Sequence, residues 1–206
     1  VKAQHLEFLV EEPSMEAFLR GLLPRLMPAD HTFGIHAFQG KPDLLGNLEA
    51  RLRGYATWLP EDWRIVVMVD RDDSDCLELK RRLEEKAANA PLRLRSTCTG
   101  PETWQVVNRV VIEELEAWYF GDWAAVREAY PRVHATIPQK RGFRDPDAIT
   151  GGTWEAFERI LKRYGYFETG LRKVEAARAI GAHADPDLNL SRSFLRFRDA
   201  ILDATA

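Results

Sequence analysis

IVVMVDRDDSD (residues 65–75) decides the fold. Its opening residues are apolar and rich in Ile and Val, the composition of a strand buried on both faces, as in a parallel sheet covered by helices. The run then meets Asp70, Asp72, Asp73 and Asp75. LVEEPSMEAFL (9–19) repeats the arrangement: an apolar run closes on Glu11 and Glu12, with Glu16 just beyond, and Pro13 stands where a helix can begin.

Outward from these stretches, strand and helix signals alternate. HLEFLV (5–10), TFGIHAF (32–38) and RIVVMV (64–69) read as strands. Met15, Phe18, Leu19, Leu22, Leu23 and Leu26 mark the helix after the first. Leu44, Leu45, Leu48, Leu52 and Tyr55 mark the second helix, and Cys76, Leu79, Leu83 and Ala87 the third. Asp75 is placed to cap that third helix, with Glu78 three residues on. PLRLRST (91–97) is expected as a further strand and WQVVNRVVI (104–112) as another, leading into a helix in EELEAWYFGDW (113–123). Residues 131–152 are rich in Pro, Gly and Arg, too long for an idle loop and so expected to be mobile or functional. Helices follow, marked by Trp154, Phe157, Ile160, Leu161 and Tyr164, by Leu171, Val174, Ala177 and Ile180, and by Phe194, Phe197 and Ile201. The alternation implies right-handed crossovers and a mostly parallel sheet. The expected organisation is an α/β core over residues 1–122 and a helical C-terminal extension over 123–206, packed on that core.

Composition narrows the function. The 206 residues are 45% hydrophobic and 30% charged, enough for a sizeable single core. No apolar run reaches the ~20 residues of a membrane span. No secretory leader opens the sequence, and Cys76 and Cys98 lack metal-ligand spacing, so a cytoplasmic protein without disulfides is expected. The net charge of −3 excludes a strongly basic nucleic-acid binder. Residues 1–122 hold 15 Lys and Arg against 21 Asp and Glu, a balance of −6; residues 123–206 hold 14 against 11, a balance of +3. Such a chain can meet a phosphate backbone through a metal and a mildly basic tail, though ordinary solvated charge gives the same balance. No glycine-rich phosphate loop is present, so ATP hydrolysis is not expected, and there is no GxSxG or HExxH pattern. His36, inside a strand, is expected in the core.

The acids at the strand ends carry the chemistry. In open α/β sheets, ligands sit beyond the carboxyl ends of the strands. Strands lie about 4.8 Å apart, so Glu11 and Asp70 can share an ion. Asp72 joins them if the chain stays extended past Asp70. Hard oxygen ligands of this kind favour Mg²⁺ or Mn²⁺ over Zn²⁺. A lone DxD is a weak signal, and Asp73 and Asp75 also suit a turn and a cap. The DxDD after a buried strand, with a second acid closing the first strand, is stronger. Glu113 and Glu116 share a helix face and offer a further ligand or a solvated acidic face. Lys41 falls on the same sheet edge and suits a phosphate contact or a solvated loop. Lys173, Ser191 and Ser193 suit the rim of a pocket, the serines more readily helix caps. Lys140, Arg141, Arg144, Arg192, Arg196 and Arg198 suit a nucleic-acid backbone or solvent.

These residues carry a resemblance. An acid closing the first strand and a DxD closing a later one resemble the Toprim domain of topoisomerases, bacterial primases and the nucleases of the overcoming-lysogenization-defect (OLD) family. From about His5 to Phe197 the chain is similar to the family of domains of unknown function numbered 4276, through LVEEPSMEAFL, GKPDLL (40–45), VDRDD (69–73), EELEAWYFGD (113–122), the lysine of GLRKVEAA (170–177) and SRSF (191–194). The resemblance implies a Toprim/Rossmann-like fold and a Mg²⁺-dependent nuclease. It implies Glu11 as general acid/base or metal ligand, Asp70 and Asp72 as metal ligands with catalytic roles, and Glu116 as a further ligand. It also implies a nucleic-acid substrate, held weakly by the chain alone, and a separate ATPase partner in a bacterial anti-phage system. OLD-type nucleases typically have Glu-Gly where this chain has Glu11-Glu12, a departure that implies either a different local turn or Glu12 as a substitute ligand. No domain carries a tyrosine nucleophile and no cysteine set binds zinc, which favours hydrolysis. Two rivals stand beside this expectation. One is a non-catalytic regulatory subunit with a vestigial site. The other is a small-phosphoester phosphatase, although haloacid-dehalogenase-type phosphatases close their first strand with DxD and this one closes with Glu11.

Overall fold

A computed structural model describes residues 2–100 and 103–205. Strands β1 (His5–Val10), β2 (Thr32–Ala37), β3 (Trp63–Asp70) and β4 (Val106–Val111) form one all-parallel sheet in the order β2-β1-β3-β4. Helices α1 (Pro13–Leu26), α2 (Lys41–Ala56) and α3 (Cys76–Ala88) make the crossovers. Helices α4 (Leu115–Gly121), α5 (Trp123–Ala129), α6 (Thr153–Arg163), α7 (Lys173–Gly181) and α8 (Arg192–Thr205) follow the last strand. The architecture is Rossmann-like α/β with a helical C-terminal part. Among the described residues, no helix is long and apolar enough to cross a membrane.

The sheet is buried on both faces because its strands are apolar on both. Phe8, Val10, Val66 and Met68 face one core, built with Phe18 of α1, Trp118 of α4, Phe157 of α6, Ile180 of α7 and Phe197 of α8. Leu9, Ile65, Val67 and Val69 face a second core, closed by Leu48 and Leu52 of α2 and Leu79 and Leu83 of α3. The alternation along β3 is the two-residue period of a strand, with neither side left polar.

Two glycines set the closest helix contact. A Cβ on Gly21 of α1 would lie 2.4 Å from the carbonyl carbon of Gly181 in α7, and a Cβ on Gly181 would lie 2.5 Å from the Phe18 carbonyl oxygen. Only bare backbone allows the helices so near one another. The Arg25 guanidinium then closes the end of α7, donating to the carbonyls of Ala182 and Ala184, each at 2.9 Å, and to that of Gly181. At the far end of the chain, Ala3 N donates to Ala204 O at 2.8 Å.

Several expectations are corrected. Residues 91–97 form a single bridge, Leu94 with Val106, and not a strand. Leu94 is buried, but the chain turns directly after it, Thr97 N donating to Leu94 O. The helix of 113–123 is two: α4 ends at Gly121, and Asp122 caps α5 by accepting from Ala125 N at 3.1 Å. Val174 does not face the core; it is 39% exposed. His36 is half-exposed, because β2 is an edge strand; its Nε2 lies 2.6 Å from Glu7, whose carboxylate also accepts from Tyr55. The loop 131–152 is pinned by buried Ile137 and Ile149 and by Trp123 Nε1, which donates to His134 O at 3.0 Å.

Candidate active site at the carboxyl edge of the sheet

β1 and β3 are neighbours, and both release their chains at the same edge. Glu11 follows β1 directly, and its Oε2 accepts from Asp70 N at 3.0 Å. Asp70, the last residue of β3, is 7% exposed, and its Oδ1 is buried without a hydrogen-bond partner among the described residues. Burial pushes the Asp70 carboxyl well above the carboxylate range, and Glu11, Glu116, Glu12 and Asp72, in that order, push it further. Burial raises Glu11 to about 7, against the pull of Lys41 and the Asp70 N–H. Glu116, on α4, is 2% exposed and is raised by burial to about 7, with Lys173 the main opposing charge.

The lysines answer this acidity. The left-handed backbone of Gly40, with φ of 98°, starts α2 and sets Lys41 at its first position. Lys41 Nζ donates to Asp72 Oδ2 at 2.8 Å and to Arg71 O at 3.1 Å. Lys173 begins α7 and sits 5.4 Å from the Trp154 ring centroid. Burial works against its charge, but Glu116, Glu12, Glu114 and Asp70 outweigh that and hold the ammonium above its usual range.

Asp72 departs from expectation. Its φ is 47°, so the chain does not continue extended past Asp70, and its half-exposed carboxylate turns to Lys41. Glu113 takes the same left-handed backbone, with φ of 59°, and accepts from Asp72 N at 2.9 Å through its carbonyl while its carboxylate pairs with Arg71. These paired bends shape a cleft of about 940 Å³ floored by Arg71, Asp72 and Glu113 and walled by Gly151, Gly152 and Trp154. Glu114 fixes the wall, accepting from Thr153 Oγ1 at 2.7 Å and Trp154 N at 2.9 Å.

The other expected residues divide. Asp75 caps α3, accepting from Glu78 N at 2.8 Å. Ser191 caps α8 through Phe194 N, and Ser193 Oγ accepts from Trp118 Nε1 at 2.9 Å; neither lines the acidic edge. Glu12 accepts from Ser14 Oγ. Arg144 is turned to Gln139 O and Arg198 to Pro186 O. The sequence did not mark Tyr119 as a functional group. Its hydroxyl is buried without a hydrogen-bond partner among the described residues, and it is pushed well above its usual range by burial first, then by Glu116, Asp70 and Glu12. Its spacing of three from Glu116 on α4 was the available signal.

The donor chemistry fits a hard cation. The groups are carboxylates, and the orphaned Asp70 Oδ1 is a buried acceptor that asks for a partner. As the side chains are turned, however, no three His, Cys, Asp or Glu among the described residues form a set that could hold a metal ion. Glu11 faces the Asp70 N–H and Asp72 faces Lys41 instead.

Fold and site together define a class: a parallel α/β protein with buried acids gathered at the carboxyl edge of its sheet. Residues 10–202 match the family described as Domain of unknown function (DUF4276), and the chain belongs to that family. Comparison with curated proteins and with solved structures gave no match.

Proposed function

We propose that the protein is a Mg²⁺- or Mn²⁺-dependent phosphodiester hydrolase of Toprim type, a nuclease working in the bacterial cytoplasm with a separate ATPase in a defence system. One observation carries this reading: Asp70 is buried at a strand end, its Oδ1 without a hydrogen-bond partner among the described residues, in the field of Glu11, Glu116, Glu12 and Asp72. Such a cluster is costly unless a cation or protons neutralise it. The cation would be held by Asp70, Glu11, Asp72 and Glu116, and would supply a Lewis acid and a water of lowered pKa. Where Glu11 does not bind the cation itself, its carboxylate, set beside Asp70 at the end of β1, is suited to take a proton from the attacking water and return one to the leaving oxygen. Lys41 and Lys173 offer ammonium groups to the phosphate. A non-catalytic subunit of the same ATPase is the second reading, supported by the lack of a set of three acids turned to a common point among the described residues.

The test compares Asp70→Asn, Glu11→Gln and Asp75→Asn on single- and double-stranded DNA and RNA and on a small phosphoester, with Mg²⁺ or Mn²⁺ and with and without a candidate ATPase partner. The first two should lose at least ~tenfold in polynucleotide cleavage, or ~1.4 kcal/mol of barrier, while Asp75→Asn should not. Full activity in Asp70→Asn would overturn the catalytic reading.

A further inference from the structure

A second charged hollow lies at the other side of β4, the edge strand of the sheet. It has a volume of about 510 Å³ and is lined by Arg95, Arg109, Arg196, Asp199, Leu202 and Asp203. Its positive charge is under-compensated. Asp203 is engaged by Arg95 at 3.3 Å, and Asp199 lies 3.7 Å from Arg198. Arg109, half-buried on β4, has no carboxylate partner among the described residues; its Nε is buried with no hydrogen bond, and its Nη1 reaches only the Asn108 carbonyl, at 3.4 Å. Arg196, exposed on α8, has neither an ion pair nor a hydrogen bond among the described residues. Burial lowers the pKa of Arg109, and the nearby charges of Arg95 and Arg196 lower it further, while Asp203 and Glu84 only partly offset them.

Guanidinium groups crowded in this way repel one another, and an anion between them removes the repulsion. The planar fork of Arg matches the paired oxygens of a phosphate, and a guanidinium without a carboxylate partner keeps donors free for such a ligand. Position adds to chemistry. Arg109 pairs in register with Met68, and Val111 with Asp70. Residues two apart share a sheet face, so Arg109 stands on the face to which Asp70 belongs, about 7 Å back along β4 from Val111.

We propose that the hollow between β4 and α8 is a phosphate-binding site, in which Arg109 and Arg196 grip a backbone phosphate of the polynucleotide whose scissile bond lies at the acidic edge. The phosphate chemistry stands on the arginines alone; its source, a polynucleotide, rests on the function proposed above. The site anchors the strand without touching the reacting atoms.

The test uses the full chain with a metal chelator, so that nothing is cleaved. Inorganic phosphate and a short single-stranded oligonucleotide are titrated into wild type, Arg109→Met, Arg196→Met and Asp75→Asn, with circular dichroism as a check on folding. Arg196 is exposed, so its replacement keeps the test valid should Arg109→Met fail to fold. The expected result is oligonucleotide binding weakened about tenfold in each arginine variant, as follows from removing a charged hydrogen-bonding group. The salt dependence should also become shallower, by ~0.7 in the log–log slope for each phosphate no longer neutralised. Asp75→Asn, at the α3 cap, should leave binding of both probes intact. Phosphate binding that depends on Arg196, with no oligonucleotide binding by any variant, supports the site and assigns it to a free phosphate, the nuclease reading failing separately. Binding of both probes unchanged in both arginine variants overturns the proposal.

Discussion

Glu11 and Glu116 each ionise at about 7 in the fold, against 4.5 for a free glutamate. Between those values the folded chain holds protons that the unfolded chain has released. The stability this protonation supplies is therefore complete below about pH 4.5 and is lost as pH rises through about 7. We expect the melting temperature of the metal-free protein to fall between pH 5 and pH 8, and Glu116→Gln to flatten that fall; a wild-type profile that stays level, or rises, would count against the buried acid cluster. Tyr119→Phe should match or exceed the wild type in stability, because a buried hydroxyl without a partner costs ~1–3 kcal/mol; urea unfolding measures it. At this scale the sequence was legible where an acid follows a strand, as Glu11 and Asp70 do. It was not legible where the backbone bends: the left-handed conformation of Asp72 carries no glycine to announce it, and the bend turns its carboxylate to Lys41.

Helices are marked by their apolar spacing, and α1, α2, α3 and α6 begin and end close to where that spacing suggests. What the spacing does not carry is contact between elements. Nothing in the local pattern marks Gly21 and Gly181 as a crossing point, since each helix would form with alanine there. Gly21→Ala must push α1 and α7 apart, and we expect ~1–3 kcal/mol of destabilisation by chemical denaturation. Gly46, in α2, has open space around its Cβ position, so Gly46→Ala should instead stabilise by ~0.5–1 kcal/mol. If the two substitutions gave the same sign, the close crossing would be refuted. Residues 91–97 misled for a related reason: alternating Leu and Arg suits a strand, but the chain turns after Leu94, so only one residue reaches a partner.

The whole molecule is layered around the sheet, and the core on the α1 side is continuous from Phe8 to Phe197. The sequence marks an α/β part and a helical part packed on it but does not say which faces meet, because apolar spacing tells which face is buried and not against what. A fragment of residues 1–122 would expose the surfaces of Phe8, Phe18 and Trp118 that α7 and α8 cover. We expect it to bind a hydrophobic dye and to melt without a cooperative transition; a sharp melt would show that the α/β part closes its own core.

The bond from Ala3 to Ala204 and the Gly21–Gly181 crossing also govern events on the ribosome. β1 and α1 emerge well before α7 and α8, which cover them: Gly181 follows Gly21 by 160 residues, and Ala204 follows Ala3 by 201. Contacts so distant in sequence form slowly, and the nascent chain meanwhile presents a sticky flank to its surroundings. Production of the protein should for that reason respond to chaperone supply and to lowered temperature more than its modest size suggests.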